Sequence, residues 1–153
     1  MKVNLRKVTR DNWEEALNLQ VREDQLSFVP SVAVSLAKVY IKPDGDQVEY
    51  LPFAIYDGDR MVGFIMHAYE EHTTYSYWIN GFIIDASQQR KGFGRAALME
   101  MIAWIQEKFA QCSEIRLTVH KENQYAKKLY ETIGFKKTTQ MFGDEEVWLL
   151  SIE

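Results

Sequence analysis

Residues 82–109 read Phe82-Ile83-Ile84-Asp85-Ala86-Ser87-Gln88-Gln89-Arg90-Lys91-Gly92-Phe93-Gly94-Arg95-Ala96-Ala97-Leu98-Met99-Glu100-Met101-Ile102-Ala103-Trp104-Ile105-Gln106-Glu107-Lys108-Phe109. An apolar run passes into a polar loop, and the loop into a periodic segment. Leu98, Met101, Ile102, Ile105 and Phe109 recur at helical spacing, which predicts a helix over Gly92–Phe109. The strongest helix of the chain therefore opens on Gly92-x-Gly94. Glycine turns the backbone tightly and leaves its N–H groups uncovered, and a helix N-terminus adds unpaired donors and partial positive charge. Arg90, Lys91 and Arg95 add three cations with no acid among them. The segment predicts an anion cradle suited to phosphate oxygens. The competing reading is a plain glycine turn with a solvated basic rim.

Outward from this segment the chain alternates short elements. Val3–Val8 reads as a strand. Thr9 or Asp11 then caps a helix carrying Trp13, Ala16, Leu17 and Leu19. Ser31 caps a second helix with Val32, Leu36 and Val39 on one face, which ends before Lys42-Pro43-Asp44-Gly45. Leu51–Asp57 and Met61–Tyr69 form a hairpin around Asp57-Gly58. Tyr75–Asp85 is an aromatic β-run in which Asn80-Gly81 is either a tight turn or, as preferred here, a β-bulge within one strand. Ile115–Val119 is a strand, Asn123–Glu131 a helix stopped by Gly134, and Phe135–Met141 and Glu146–Ile152 are closing strands. The order is β-α-α-β-β-β-α-β-α-β-β, a mixed α/β (α+β) chain without the regular alternation of a doubly wound sheet.

Two other phosphate motifs fit poorly. Nothing matches G-x-x-x-x-G-K-[ST]. Gly92-Phe93-Gly94-Arg95-Ala96-Ala97 does match G-x-G-x-x-A, with Glu114 in the place of a ribose-binding acid. The dinucleotide fingerprint, however, directly follows a strand near the start of a large parallel sheet. Here the polar stretch Ala86–Lys91 intervenes, and little chain remains after the helix.

Composition narrows the class further. The 153 residues fall within the size of one domain, and a net charge of −4 (18 Lys and Arg against 22 Asp and Glu) disfavours a general nucleic-acid or anionic-membrane binder. Cys112 is the only cysteine, so no intrachain disulfide forms, and it reads as a structural thiol. His67, His72 and His120 lack a metal-binding spacing, so no metal is expected. The N-terminus has no signal-peptide core and no stretch is long and apolar enough to span a membrane, which predicts a cytoplasmic protein.

Ile83-Ile84-Asp85, then Gln89-x-x-Gly92-x-Gly94, then Val119–Asn123, then Leu129-Tyr130-Glu131-Thr132-Ile133-Gly134-Phe135 resemble, in that order, the GNAT N-acetyltransferases. Gln25-Leu26-Ser27-Phe28-Val29 and the spacing through the Trp78 strand are similar to the small bacterial spermine/spermidine acetyltransferases within that superfamily. The resemblance implies one GNAT domain over residues 1–153. Its mixed sheet has six or seven strands, antiparallel except where the fourth and fifth run parallel and splay apart to receive acetyl-CoA. It implies that Gln89, Arg90, Lys91, Gly92, Phe93, Gly94 and Arg95 bind the CoA pyrophosphate. The backbones of Phe82, Ile83 and Ile84 would pair with the pantetheine amides, and Asn123 would contact the pantetheine arm or only cap its helix. Tyr130 would be the catalytic acid that protonates the CoA sulfur.

The acceptor implied is a small-molecule primary amine, plausibly spermidine or spermine, attacking directly. Gln25, Phe28 and Trp78 are candidates to line its groove. Glu23, with Asp24, Glu70 and Glu71, would attract its positive charge. Polyamine relatives often carry an acid where Asn80 stands; an amide cannot act as a base, so the base stays open. Alternative acceptors are an aminoglycoside, an amino acid or a protein N-terminus, and a non-catalytic CoA-binding module is a further alternative. Relatives often form homodimers; no membrane or nucleic-acid partner is expected.

Overall fold

The computed structural model describes residues 1–152. Seven strands form one sheet: β1 (Asn4–Lys7), β2 (Glu49–Asp57), β3 (Arg60–Tyr69), β4 (Tyr77–Ile84), β5 (Glu114–His120), β6 (Lys136–Phe142) and β7 (Glu145–Ser151). Their spatial order is β1-β2-β3-β4-β5-β7-β6. All neighbours are antiparallel except β4 and β5. Four helices complete the chain: α1 (Trp13–Leu17), α2 (Val32–Ile41), α3 (Phe93–Lys108) and α4 (Gln124–Ile133). The order of elements is the one the sequence predicts. Two short 3-10 turns, Glu23–Gln25 and Ala86–Gln88, are additional.

Alternation along the strands divides the core between two faces. Phe53, Ile55, Tyr77 and Ile79 pack with Ala97, Leu98, Met101, Ile102 and Ile105 of α3 and with Tyr130 of α4. Tyr50, Ala54, Phe64 and Met66 pack on the opposite face with Ala16 of α1 and Val32 of α2. The i, i+3, i+4, i+7 stripe of α3 is thus the stripe that is buried, each large side chain stabilising the fold by about 1.5–3 kcal/mol relative to exposure.

Helix ends follow local chemistry. The Ser31 hydroxyl accepts from the Val34 N–H at 3.3 Å and caps α2 as expected. Gly134 stops α4 with φ +121°, and its N–H closes onto the carbonyls of Tyr130 and Glu131. Two details differ from the sequence reading. Asn12, not Thr9 or Asp11, stands at the N-terminus of α1; its side-chain oxygen accepts from the Thr9 N–H, and the Thr9 hydroxyl accepts from the Asp11 N–H. These bonds tie Thr9 and Asp11 into the preceding turn. On α2, Val39 faces solvent and Ser35 is buried beside Val32. A serine is small enough to let α2 approach β4, which a larger residue would hold off.

That approach falls on Gly81. Asn80 pairs with Met66 and Ile83 with Phe64, so Gly81 and Phe82 together oppose Ile65: the bulge that the sequence favoured over a tight turn. Gly81 has φ +61°, and a Cβ there would lie 2.6 Å from Ser35 Oγ. The extra residue reverses the phase of the strand. Tyr77 and Ile79 face α3 before the bulge, whereas Phe82 and Ile84 do so after it and Ile83 turns to the α2 side.

Candidate active site

The bulge bends β4 away from β5. The parallel register holds only at Trp78–Arg116 and Ile79–Leu117, and beyond Ile79 the strands part. Asn80–Ile84 keeps β3 on one edge and Thr118–His120 keeps β7 on one edge, so the edges facing each other lack strand partners. This V-shaped cleft with unpaired main-chain groups can receive an extended ligand bearing amides, as an added strand would.

At the wide end the chain enters the glycine loop. Asp85 organises it. Its carboxylate accepts from the Ser87 N–H at 3.2 Å and the Gln20 N–H at 3.0 Å, and from the Ser87 hydroxyl. Burial opposes ionisation of Asp85, but the hydrogen bonds from the Ser87 hydroxyl, then from the Gln20 and Ser87 amides, outweigh it and hold the carboxyl below its ordinary range. Arg90 (φ +64°) and Gly92 (φ +91°) both take left-handed backbone conformations, and Gly92 is the residue at which α3 begins. A Cβ on Gly94 would meet Leu129 at 3.7 Å and Ile84 at 3.8 Å, so Gly94 forms the floor between β4 and α4. The first N–H groups of α3 therefore open into the cleft, a setting that fits phosphate.

One continuous groove is lined by Phe82, Ile83, Ile84, Gln89, Arg90, Gly92, Phe93, Gly94, Arg95, Asn123 and Tyr130, together with Gln25 and Phe28. The structure thus assembles almost all of the residues singled out for cofactor binding. Lys91 is outside this lining; its ammonium donates to Gln88 Oε1 at 3.2 Å on the exposed side of the loop. Arg95 is in the lining and donates to the Thr132 hydroxyl at 3.2 Å. Asn123 caps α4 by accepting from the Ala126 N–H at 3.3 Å. Tyr130 is buried 6.0 Å from the Phe135 ring, and its phenol is pushed well up, first by burial and then by the charge of Glu145.

A second lobe opens behind the narrow end of the cleft. Phe28, Asn80, Phe82, Asn123 and Tyr130 line it along with Pro30, Lys38, Thr118, His120 and Glu145. Tyr130 and Phe82 stand in both lobes, which makes this junction the natural meeting point of two reactants. Of the other acceptor candidates, Gln25 turns toward the loop. Its amide exchanges two hydrogen bonds with Gln89, at 2.9 and 3.2 Å, and Gln89 also donates to the Ile84 carbonyl. Glu23 sits on the exposed 3-10 turn and lies outside both lobes. Trp78 lies where β4 and β5 are still joined, 6.0 Å from the Arg116 guanidinium and 6.3 Å from the Phe142 ring, and lines neither lobe.

His120 and Glu145 were not singled out from the sequence. They stand opposite each other across β5 and β7, and the His120 ring lies 5.0 Å from Phe28. Only the register of two strands separated by α4 and β6 brings them together, and no local spacing reports it.

Residues 13–135 match the model of the Acetyltransferase (GNAT) family. The chain is 32% identical over 157 aligned positions, covering 96% of this chain and 97% of the other, to the spermine/spermidine N(1)-acetyltransferase of Bacillus subtilis (strain 168). Its fold resembles that of a spermidine N-acetyltransferase from Vibrio cholerae solved with CoA and spermine (TM-score 0.70, 22% identity, 99% and 95% of the two chains). It also resembles AAC(6')-Ib solved with ribostamycin and coenzyme A (TM-score 0.75, 16% identity, 99% and 94%). These matches place the chain among the acyl-CoA-dependent transferases. The chain belongs to the GNAT acetyltransferase family and is an acetyl-CoA-dependent N-acetyltransferase.

Proposed function

We propose that the protein acetylates a primary amine of a polyamine such as spermidine or spermine, and that residues 1–153 act as one domain in doing so. The observation that carries this reading is the likeness to the Bacillus subtilis enzyme over nearly the whole of both chains. The two-lobed cleft supports it, because one lobe fits the cofactor and the other presents a carboxylate to the junction.

Acetyl-CoA supplies an acetyl group already activated as a thioester. The main-chain donors at Gly92–Arg95 and the side chains of Arg90 and Arg95 hold the pyrophosphate, and the free edge of Phe82–Ile84 aligns the pantetheine arm. The bulge at Gly81–Phe82 would offer a backbone N–H to the thioester carbonyl and so polarise it. An amine that has given its proton to water would attack from the second lobe; as its N–C bond forms the thioester C–S bond would break, and Tyr130 would give its phenolic proton to the departing sulfur. No chain nucleophile is required. Cys112 is buried, and burial pushes its thiol up, so it stays a packing residue.

The net charge of −4 suits a polycationic acceptor better than nucleic acid. No helix among the described residues is long and apolar enough to cross a membrane, and the reading places the work in the cytoplasm, with a homodimer as the assembly to be tested by light scattering. A thiol-release assay over spermidine, spermine, an aminoglycoside, free amino acids and a peptide N-terminus tests the acceptor. Release with the polyamines is the expected result. Release only with another acceptor refutes the polyamine, and CoA binding with no turnover on any amine refutes catalysis.

A further inference from the structure

The acceptor lobe presents a single carboxylate among the described residues that line it, that of Glu145. Four acids have been considered as attractors of a cationic amine, and the fold separates them from this lobe. Glu23 is exposed on its turn, and Asp24 is paired with Arg22 at 3.1 Å. Glu70 and Glu71 precede β4; the Glu71 carbonyl accepts from Gln111 and from the Tyr77 hydroxyl, at the end of the sheet away from the splay. Asn80 is in the lobe, but an amide carries no charge, and its oxygen is buried without a partner.

Glu145 is placed differently. It is the first residue of β7, opposite His120, and the Thr118 hydroxyl donates to its Oε1 at 3.4 Å. No ion pair engages it among the described residues, whereas its neighbour Glu146 is held by Lys127 at 3.3 Å and Lys137 at 3.5 Å. The two consecutive acids point to opposite sides of the strand and divide the work: Glu146 is neutralised by the fold, and Glu145 is left for something else. Its charge is felt by the Tyr130 phenol, so the carboxylate and the proposed acid share one electrostatic neighbourhood.

We propose that Glu145 is the acceptor-selecting residue of this enzyme: its carboxylate receives the reacting amine as an ammonium ion at the junction beside Tyr130. The proposal rests on the acetyltransferase reading and adds which charge recognises the acceptor. Among the described residues that line the lobe, Lys38, from α2, is the one ammonium or guanidinium. A cation there opposes the entry of a second positive charge, so Glu145 reads the reacting nitrogen alone. The remaining charges of a polyamine stay outside the lobe.

The experiment compares wild type, Glu145→Gln, Glu145→Asp and Lys38→Gln by acceptor KM, kcat and acetyl-CoA affinity at low and high salt. A thermal melt establishes that each variant is folded. Glu145→Gln is expected to raise the KM of the amine that wild type uses by about tenfold or more, the loss of one ion pair's discrimination, with acetyl-CoA affinity changed less than twofold. The salt dependence of KM should flatten in that variant, and Glu145→Asp should recover part of the affinity. Lys38→Gln should lower KM, because it removes the cation that opposes the charge of the amine. An unchanged KM in folded Glu145→Gln overturns the proposal, and so does a tenfold rise in KM from Lys38→Gln, which would mark an anionic acceptor group. If wild type acts on amines other than polyamines, the same comparison on that amine still decides the role of Glu145, so the two readings fail separately.

Discussion

The acid role proposed for Tyr130 requires a proton, and the residue is buried. Burial, reinforced by the negative charge of Glu145, drives its phenol upward, so it remains protonated throughout the neutral range. A phenol in that state keeps a proton to give to a departing thiolate, though the upward shift weakens it as an acid, and it cannot take one from an amine. Tyr130→Phe keeps the ring that packs beside Phe135 and deletes only the donor. Turnover should fall at least tenfold, a positioned acid typically contributing about 10²–10⁴-fold, while acetyl-CoA affinity by calorimetry stays within a factor of two; wild-type turnover in the variant would remove Tyr130 from the chemistry. The place of Tyr130 in the groove was legible in the chain because it lies in a contiguous segment, Leu129-Tyr130-Glu131-Thr132-Ile133-Gly134-Phe135. Glu145 was not, because its meaning arises only when β7 lies against β5. Gln25 was assigned to the acceptor groove but spends its amide on Gln89. Its polarity was readable and its partner, 64 positions away, was not.

At the scale of elements, the glycine loop and α3 form one device. Gly92 supplies the positive φ at the start of the helix, and the N–H groups behind it face the groove. Any side chain at φ +91° strains the turn, so Gly92→Asp is read against Gly92→Asn, which brings the same strain without the charge. We expect the dissociation constant of CoA to rise at least tenfold through repulsion of the phosphates and obstruction of the turn. Gly92→Asn, with the same bulk and no charge, should lose less. Titration giving equal affinity for wild type and Gly92→Asp would show that the phosphates bind elsewhere. Elements with long periodic runs were readable: α3 by its apolar stripe, the β2–β3 hairpin by Asp57-Gly58. The 3-10 turns were not, since three residues carry no period. The start of α1 was misread because Thr9, Asp11 and Asn12 are all competent caps, and only the side-chain bonds among Thr9, Asp11 and Asn12 select one.

Across the whole molecule, the sheet is closed at one end by a buried aromatic cluster and left open at the other by the splay. His67 lies at the centre of the closed end, fully buried and stacked at 4.7 Å on Tyr69, with Trp104 at 5.9 Å and Phe109 at 6.0 Å. Its Nδ1–H donates to the Trp78 carbonyl at 2.9 Å, and Nε2 has no partner among the described residues. Desolvation therefore favours the neutral ring and lowers its pKa from 6.5 to about 4, against the opposing pull of that one hydrogen bond. The unfolded chain takes up a proton at this position as pH drops below 6.5 and the folded chain does not, so the contribution is present above 6.5 and declines down to about 4. Each pH unit of such a shift corresponds to 1.36 kcal/mol, which makes the total loss about 3 kcal/mol. Glu146 acts in the same direction lower down. Burial opposes its ionisation, but hydrogen bonds from Trp148 and Lys127 and the charges of Lys127 and Lys137 hold it below its ordinary value. Its contribution, present above the unfolded carboxyl pKa, is lost as pH falls through the depressed folded one. The two windows are separable. His67→Phe retains a ring in the stack and removes the titrating group, so the fall in denaturation midpoint between pH 6.5 and 4.5 should flatten in that variant, while the steeper acid limb governed by Glu146 and other carboxylates persists. Parallel stability curves for wild type and His67→Phe over that interval would mean that His67 is not the group the fold keeps neutral.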